Sequence, residues 1–304
     1  MTRVLTNQNS TITLTAYSDG TQTDQGTFTI GIVDANGDTV VSAGTAVTDN
    51  DDGTYEYVLS AQTEPNVLTA TWTESGGQPI YTTTIEVVGS HLFNEAQVRA
   101  FDAKSNGTAP LSSASEYTDT FLAEERDRVE DLLEAWTERS WVRRYCRAEF
   151  AGNGSRLVIA RDGDARTSTG EPLHRPGRHT DVVSVISASV NGTAITASNV
   201  KVDPTNGAFY RTDGSWSAAT SSNPRNVVIE YTYGLGYPVD GVDQVAMMLM
   251  IDRLVPSAIS DRAVSFTDEL GTLRFETPGR FGNVSTIPEV NAWVKSHSVR
   301  IPLG

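Results

Sequence analysis

Thr11-Ile12-Thr13-Leu14-Thr15-Ala16-Tyr17 alternates polar and apolar side chains, the two-residue period of a strand with one face buried. Similar runs follow at 27–33, 39–42, 54–59, 67–73 and 80–88. Between them stand Asp34-Ala35-Asn36-Gly37-Asp38, Asp49-Asn50-Asp51-Asp52-Gly53 and Glu74-Ser75-Gly76-Gly77, rich in the Gly and Asn that tolerate positive φ in turns. Short strands at this spacing predict a β-sandwich over residues 1–90.

From Leu92 the period lengthens. Phe93, Val98 and Phe101 share one side of a helix predicted over 93–103, ending before Asn106-Gly107. A long helix is predicted over 118–139, with Phe121, Leu122, Val129, Leu132, Leu133 and Trp136 on one face. Glu124, Glu125, Arg126, Asp127 and Arg128 take the other. A β-rich insertion then spans 150–235, with strand-like runs at 156–160, 182–190, 200–202, 208–211 and 226–233 and a hairpin signal at Val190-Asn191-Gly192-Thr193. Val242 to Ile251 belongs to an apolar helix over 240–255 that Pro256 cannot continue. The remaining 259–304 offers one short helix at 288–296, where Pro288 suits the first turn. The rest reads as an extended arm whose Phe266, Leu270, Leu273, Phe275 and Phe281 call for a docking surface on another subunit or a partner. The expected fold class is multidomain α+β: a sandwich over 1–90, a helical core over 91–258 carrying the insertion, and the arm over 259–304.

The length of 304 residues suits two domains, and no apolar run approaches the roughly 20 residues of a membrane span. Met1-Thr2-Arg3-Val4-Leu5 runs into polar Asn7, Gln8 and Asn9, so no export signal is expected. The single cysteine, Cys146, excludes an intrachain disulfide and a cysteine zinc cage, which fits assembly in a reducing cytoplasm. The net charge of −15 is uneven: in residues 1–90 eleven acidic side chains face Arg3 alone, which would repel DNA. Residues 138–166 run the other way, with seven arginines against Glu138, Glu149, Asp162 and Asp164. Arg139, Arg143, Arg144 and Arg147 are therefore the candidates for facing DNA phosphates, with salt bridges and a helix C-terminus as the plainer reading.

Other chemistry is thin. His174 and His179, with Glu171 or Asp181, have metal-ligand types, but Arg175 and Arg178 lie among them and a loop is the better reading. Residues 49–53 are oxygen-rich like part of a calcium loop, without the bidentate glutamate an EF-hand needs, and read as a turn. Gly234-Leu235-Gly236 and Gly152-Asn153-Gly154-Ser155 lack the flanking patterns of a dinucleotide site and a nucleophile elbow. None of His91, His174, His179 and His297 has an evident nucleophilic partner, so neither catalysis nor a cofactor or metal is expected.

Asp52-Gly53-Thr54-Tyr55 resembles the Asp-Gly-x-Tyr turn of immunoglobulin-like and filamin-like repeats, where the tyrosine hydroxyl ties a corner to the backbone. The Cys…Trp…Cys core of antibody domains is absent. From Leu92 to about Ser298 the chain resembles the head-to-tail adaptor family of tailed bacteriophages, actinophage type. Tyr117-Thr118-Asp119, Arg126, Leu132-Leu133-Glu134 and Ser140-Trp141-Val142-Arg143-Arg144-Tyr145 match its helix and exit. Its C-terminal signature is matched by Val228-Ile229-Glu230-Tyr231-Thr232-Tyr233-Gly234-Leu235, Pro238, Asp261-Arg262-Ala263, Thr267-Asp268-Glu269-Leu270-Gly271, Thr277-Pro278-Gly279 and Ile287-Pro288-Glu289-Val290-Asn291. Asn291 stands where aspartate is common, and the family core usually lacks residues 1–90.

The resemblance implies a virion protein of the head–tail neck, assembled in the host cytoplasm as a homo-oligomeric ring, normally of about twelve copies. The ring sits beneath the portal protein and lengthens the channel through which genomic double-stranded DNA passes without sequence reading. It offers a platform to the next tail-joining or stopper protein and implies neither catalysis nor a membrane. Arg274, Phe275, Phe281 and Trp293 are the expected contacts with the portal or a neighbouring subunit. A rival reading is virion decoration or host-surface glycan binding through the N-terminal domain, with Trp72, Tyr81 and Tyr57 as aromatic platforms. A glycosidase would need two carboxylates about 5–9.5 Å apart across a cleft, which sequence spacing does not reveal.

Overall fold

The structure is a computed structural model describing residues 2–18, 20–24, 26–75, 79–106, 110–160, 164–165, 181–204, 207–235, 241–255, 265–268, 271–274 and 284–298. The chain forms two compact units, each from two separate stretches. One joins Met1–Ser90 to Val142–Leu235; the other joins His91–Trp141 to Gly236–Gly304.

The first stretch of the β unit contains β1 (Thr2–Leu5), β2 (Ser10–Thr15), β3 (Tyr17–Ser18), β4 (Thr21–Gln22), β5 (Phe28–Asp34), β6 (Thr39–Ala46), β7 (Thr48–Asp49), β8 (Thr54–Leu59), β9 (Asn66–Glu74) and β10 (Pro79–Val88). One sheet has the order β1-β10-β9-β5-β6, the other β2-β8-β7. β1 runs parallel to β10; the remaining pairs are antiparallel. Inward residues of both sheets, among them Ile12, Leu14, Ile30, Ile32, Leu68, Trp72 and Ile85, close a single core, so the two sheets form a sandwich. The ring of Tyr55 is buried, and its hydroxyl donates to the Asp24 carboxylate at 2.8 Å.

The second stretch adds β11 (Arg144–Phe150), β12 (Leu157–Ile159), β13 (Asp164–Ala165), β14 (Val182–Val190), β15 (Thr193–Ile195), β16 (Val200–Asp203), β17 (Ala208–Arg211) and β18 (Val227–Tyr233). They form the sheets β13-β11-β18-β14-β15 and β12-β17-β16 around Phe150, Phe209, Trp216, Ile229 and Tyr231. Asn191 and Gly192 both adopt positive φ between β14 and β15, as a tight hairpin requires. Sequence reading missed β11. Arg144, Arg147 and Glu149 make it resemble a polar surface, yet it lies between two strands and nearly every side chain on it is buried.

What joins the two stretches is a buried ion triad. Glu86 on β10 accepts from Arg3 on β1 at 2.9 Å and from Arg144 on β11 at 2.5 Å, and the Arg144 side chain is wholly enclosed. Tyr145 packs with Ala35 and Val67 nearby, and the Gly89 N–H donates to the Arg143 carbonyl at 2.9 Å. The β-rich segment expected inside the helical core is thus grouped with the sandwich.

The helical unit contains α1 (Glu95–Asn106), α2 (Asp119–Thr137), α3 (Val242–Leu254) and α4 (Pro288–His297). Asn94 and Gln97 cap α1 reciprocally: each side chain accepts the other's N–H. Thr118 caps α2 by accepting from the Phe121 N–H, and Glu138 in the left-handed region ends it. The buried face of α2 differs from the apolar stripe read in the sequence. It includes Leu122, Val129 and Leu133 but also Glu125, Arg126, Glu130 and Glu134, while Phe121 is exposed. Ion pairs make this burial tolerable: Arg126 bonds Glu95 and Asp127, and Arg128 and Arg253 both bond Glu125. α3 is apolar on most sides and packs against α2 and α4. No helix among the described residues is long and apolar enough to cross a membrane.

The arm expected over 259–304 is only partly extended. β19 (Ser265–Asp268) and β20 (Gly271–Arg274) pair as a hairpin, and α4 is part of the helical core through buried Val290, Asn291 and Val294.

Candidate functional site

The four arginines proposed from the sequence are not equivalent. Arg144 and Arg147 are corrected: Arg144 is sealed against Glu86, and Arg147 bonds Glu149 at 2.8 Å while standing opposite Glu230 in the β11–β18 register. Both serve the core of the β unit. Arg143 is exposed, and half-buried Arg139 sits with its guanidinium 5.7 Å from the Trp141 ring centre.

Of the four expected contact residues, Trp293 is half-buried within its own unit. Its ring stacks on His297 at 4.3 Å and leans on Trp141 at 4.8 Å; Trp141 donates to Thr137 Oγ1 at 2.9 Å. Ser298 adds a hydrogen bond to the Trp136 carbonyl, fastening α4 to the end of α2. Arg274 ends β20, and Phe275 and Phe281 lie outside the described residues. So do His174, His179 and Glu171.

The aromatic platforms do not survive as a set. Trp72 is 1% exposed in the sandwich core, and Tyr57 and Tyr81 pack against that core. Cys146 is buried, which pushes its thiol up to about 12 and leaves it unreactive at neutral pH.

Among the described residues two groups of potential ligands come together; the sequence marked Asp49 and Asp51 of the first as part of an oxygen-rich turn, but neither Asp24 nor any member of the second. Exposed Asp24, Asp49 and Asp51 come within 4.8 Å of one another. Their turn already uses them: the backbone N–H of Gly26 and the Tyr55 hydroxyl lower the Asp24 pKa, and Asp49 accepts the Asp51 N–H at 2.9 Å. The other group, His91, Asp127 and Glu130, is half to fully buried at the start of the helical unit. A sequence signal existed in the spacing of three between Asp127 and Glu130, which places both on one side of a helix. Nothing local pointed to His91.

No protein-family profile matches the sequence, and no curated protein matches it. Among solved structures, a chain from the neck of an empty GTA particle is similar over 70% of this chain and 93% of its own, at 16% identity and a TM-score of 0.44. A fibronectin(III)-like module of Clostridium thermocellum CbhA aligns with 28% of this chain and 84% of its own, at 14% identity and a TM-score of 0.18. Extracellular domains 3–5 of Drosophila OTK align with 78% of this chain and 63% of their own, at 9% identity and a TM-score of 0.17.

Proposed function

We propose that this chain is a non-enzymatic structural protein of a tailed-phage particle, a head-to-tail adaptor carrying an immunoglobulin-like domain at its N-terminus. The observation that carries the reading is where the residues of the adaptor resemblance fall. Thr118 caps α2, and the Tyr117 hydroxyl donates to the last turn of α3 at the Leu254 carbonyl. The run Val228–Tyr233 supplies the central strand β18, and Ile287-Pro288-Glu289-Val290-Asn291 starts α4. These described residues of the resemblance thus sit at structural joints, where a common fold would demand them.

Asn291 also has a physical reason to differ from aspartate. Its Oδ1 accepts the N–H groups of Val284 and Ser285 at 2.8 and 2.9 Å, while its Nδ2 donates to the Ser285 carbonyl at 2.8 Å. An ionised carboxylate has no proton for that last bond. For the N-terminal sandwich, a three-stranded antiparallel sheet facing a five-stranded one, with β9 paired to the non-consecutive β5, fits the immunoglobulin-like arrangement.

In this reading the subunits form a closed ring under the portal and meet the next tail-joining protein on the other side. Arg139 and Arg143 are the remaining lumen candidates, suited to weak phosphate contact that lets DNA slide. The glycan-binding alternative loses support with the burial of Trp72. Electron microscopy of the purified chain, alone and mixed with its portal, tests the proposal. The expected result is a ring bound to the portal with an axial opening wide enough for duplex DNA. A chain that stays monomeric under both conditions, or that locates to shell or fibre in the particle, overturns it.

A further inference from the structure

We propose that His91, Asp127 and Glu130 bind a divalent transition-metal ion of the zinc class, which clips the segment leading into α1 onto α2. Asp127 and Glu130 project from one side of α2, three residues apart. The Leu92 N–H donates to Glu130 Oε1 at 2.8 Å and thereby holds the His91 backbone beside them. One ligand atom from each residue lies within 4.8 Å of the others.

The spacing lies within reach of one ion. His91 Nδ1 is 3.9 Å from Glu130 Oε1, beyond hydrogen-bond range. Two ligands of one tetrahedral zinc, each bonded at about 2.0–2.1 Å, stand roughly 3.4 Å apart, so small side-chain rotations close the site. One imidazole and two carboxylates are also a borderline donor set that zinc accepts, with a fourth position for water.

Arg126, 6% exposed, bonds both Glu95 and Asp127 at 2.9 and 3.1 Å, so it divides its charge between two acids and weakens the attraction of Asp127 for a cation without abolishing it. His91 is 13% and Glu130 1% exposed, so the cluster is enclosed enough for these charges to act strongly and open enough for an ion to arrive.

The test is calorimetric titration of the chelator-treated full chain with zinc chloride, with cobalt(II) absorption as a second readout of tetrahedral binding. We expect one ion per chain with a Kd below about 100 µM. His91→Ala and Asp127→Asn should each weaken binding by on the order of 100-fold while circular dichroism remains native. Asp24→Asn, in the exposed acidic turn, should leave binding unchanged. Absence of binding at about 100 µM zinc, or equal affinity in His91→Ala, overturns the proposal. So does loss of binding in Asp24→Asn, which would put the ion on the sandwich.

Discussion

Replacing Glu86 with glutamine leaves Arg3 and Arg144 buried without their shared anion, and the expected loss of stability is about 3–5 kcal/mol in denaturant unfolding at pH 7. Burial alone would raise the Glu86 pKa, but the charges of Arg144 and Arg3 outweigh it and hold the carboxyl at about 2, against an ordinary 4.5. A depressed folded-state pKa gives stability that is complete above the ordinary value and lost as pH falls from about 4.5 toward 2. Wild type should therefore lose stability through this window, and the Glu86→Gln variant should lose less. At position 291, aspartate should cost about 2 kcal/mol by removing the donor to Ser285, measurable by thermal unfolding. The sequence announced neither effect. Arginines at 144 and 147 suggested a charged surface, because a buried charge becomes legible only when a partner 58 residues away is known to be adjacent.

Periodicity located most elements, since helices α1 to α4 and strands such as β14, β17 and β18 carry their own repeat or turn chemistry. It failed at β1 and β11, short or charged strands whose identity comes from their neighbours rather than from alternation. It also misplaced the buried face of α2, where four charged residues lie inside because ion pairs and backbone donors meet them. Within the β unit, Gly152 has no room for a side chain: a Cβ there would lie 1.9 Å from the Ser217 carbonyl oxygen and 2.9 Å from Asn226 Oδ1. Asn226 bonds both the Gly152 N–H and the Ser217 carbonyl, so the loop cannot shift cheaply. Gly152→Ala should destabilise the protein by about 3 kcal/mol, read from the denaturation midpoint.

At the scale of the molecule, the grouping into units was not legible. Both units are discontinuous, and long-range pairings such as Arg3–Glu86–Arg144 or Trp141–Trp293 leave no trace in local pattern. Removing 259–304 to test the arm would also delete α4, so that change probes folding; removing 259–283 instead keeps α4 and isolates the hairpin region. A chain ending at Leu235 keeps every strand of the β unit but loses α3 and α4. It should retain strand signal and amide-exchange protection in the β unit, while α2 exchanges rapidly; protection of α2 in that truncation would contradict the division.

The separation of α2 from its packing partners has a consequence for synthesis. Thr137 ends α2, whereas α4 begins at Pro288, and at roughly 10 residues per second on the ribosome the second follows the first by about 15 seconds. During that interval the end of α2, at Trp136 and Trp141, lacks the Ser298 hydrogen bond and the Trp293 ring that later cover it. The helical unit therefore closes only when the last segment of the protein has been made, and a chain cut short there is left with an incomplete core.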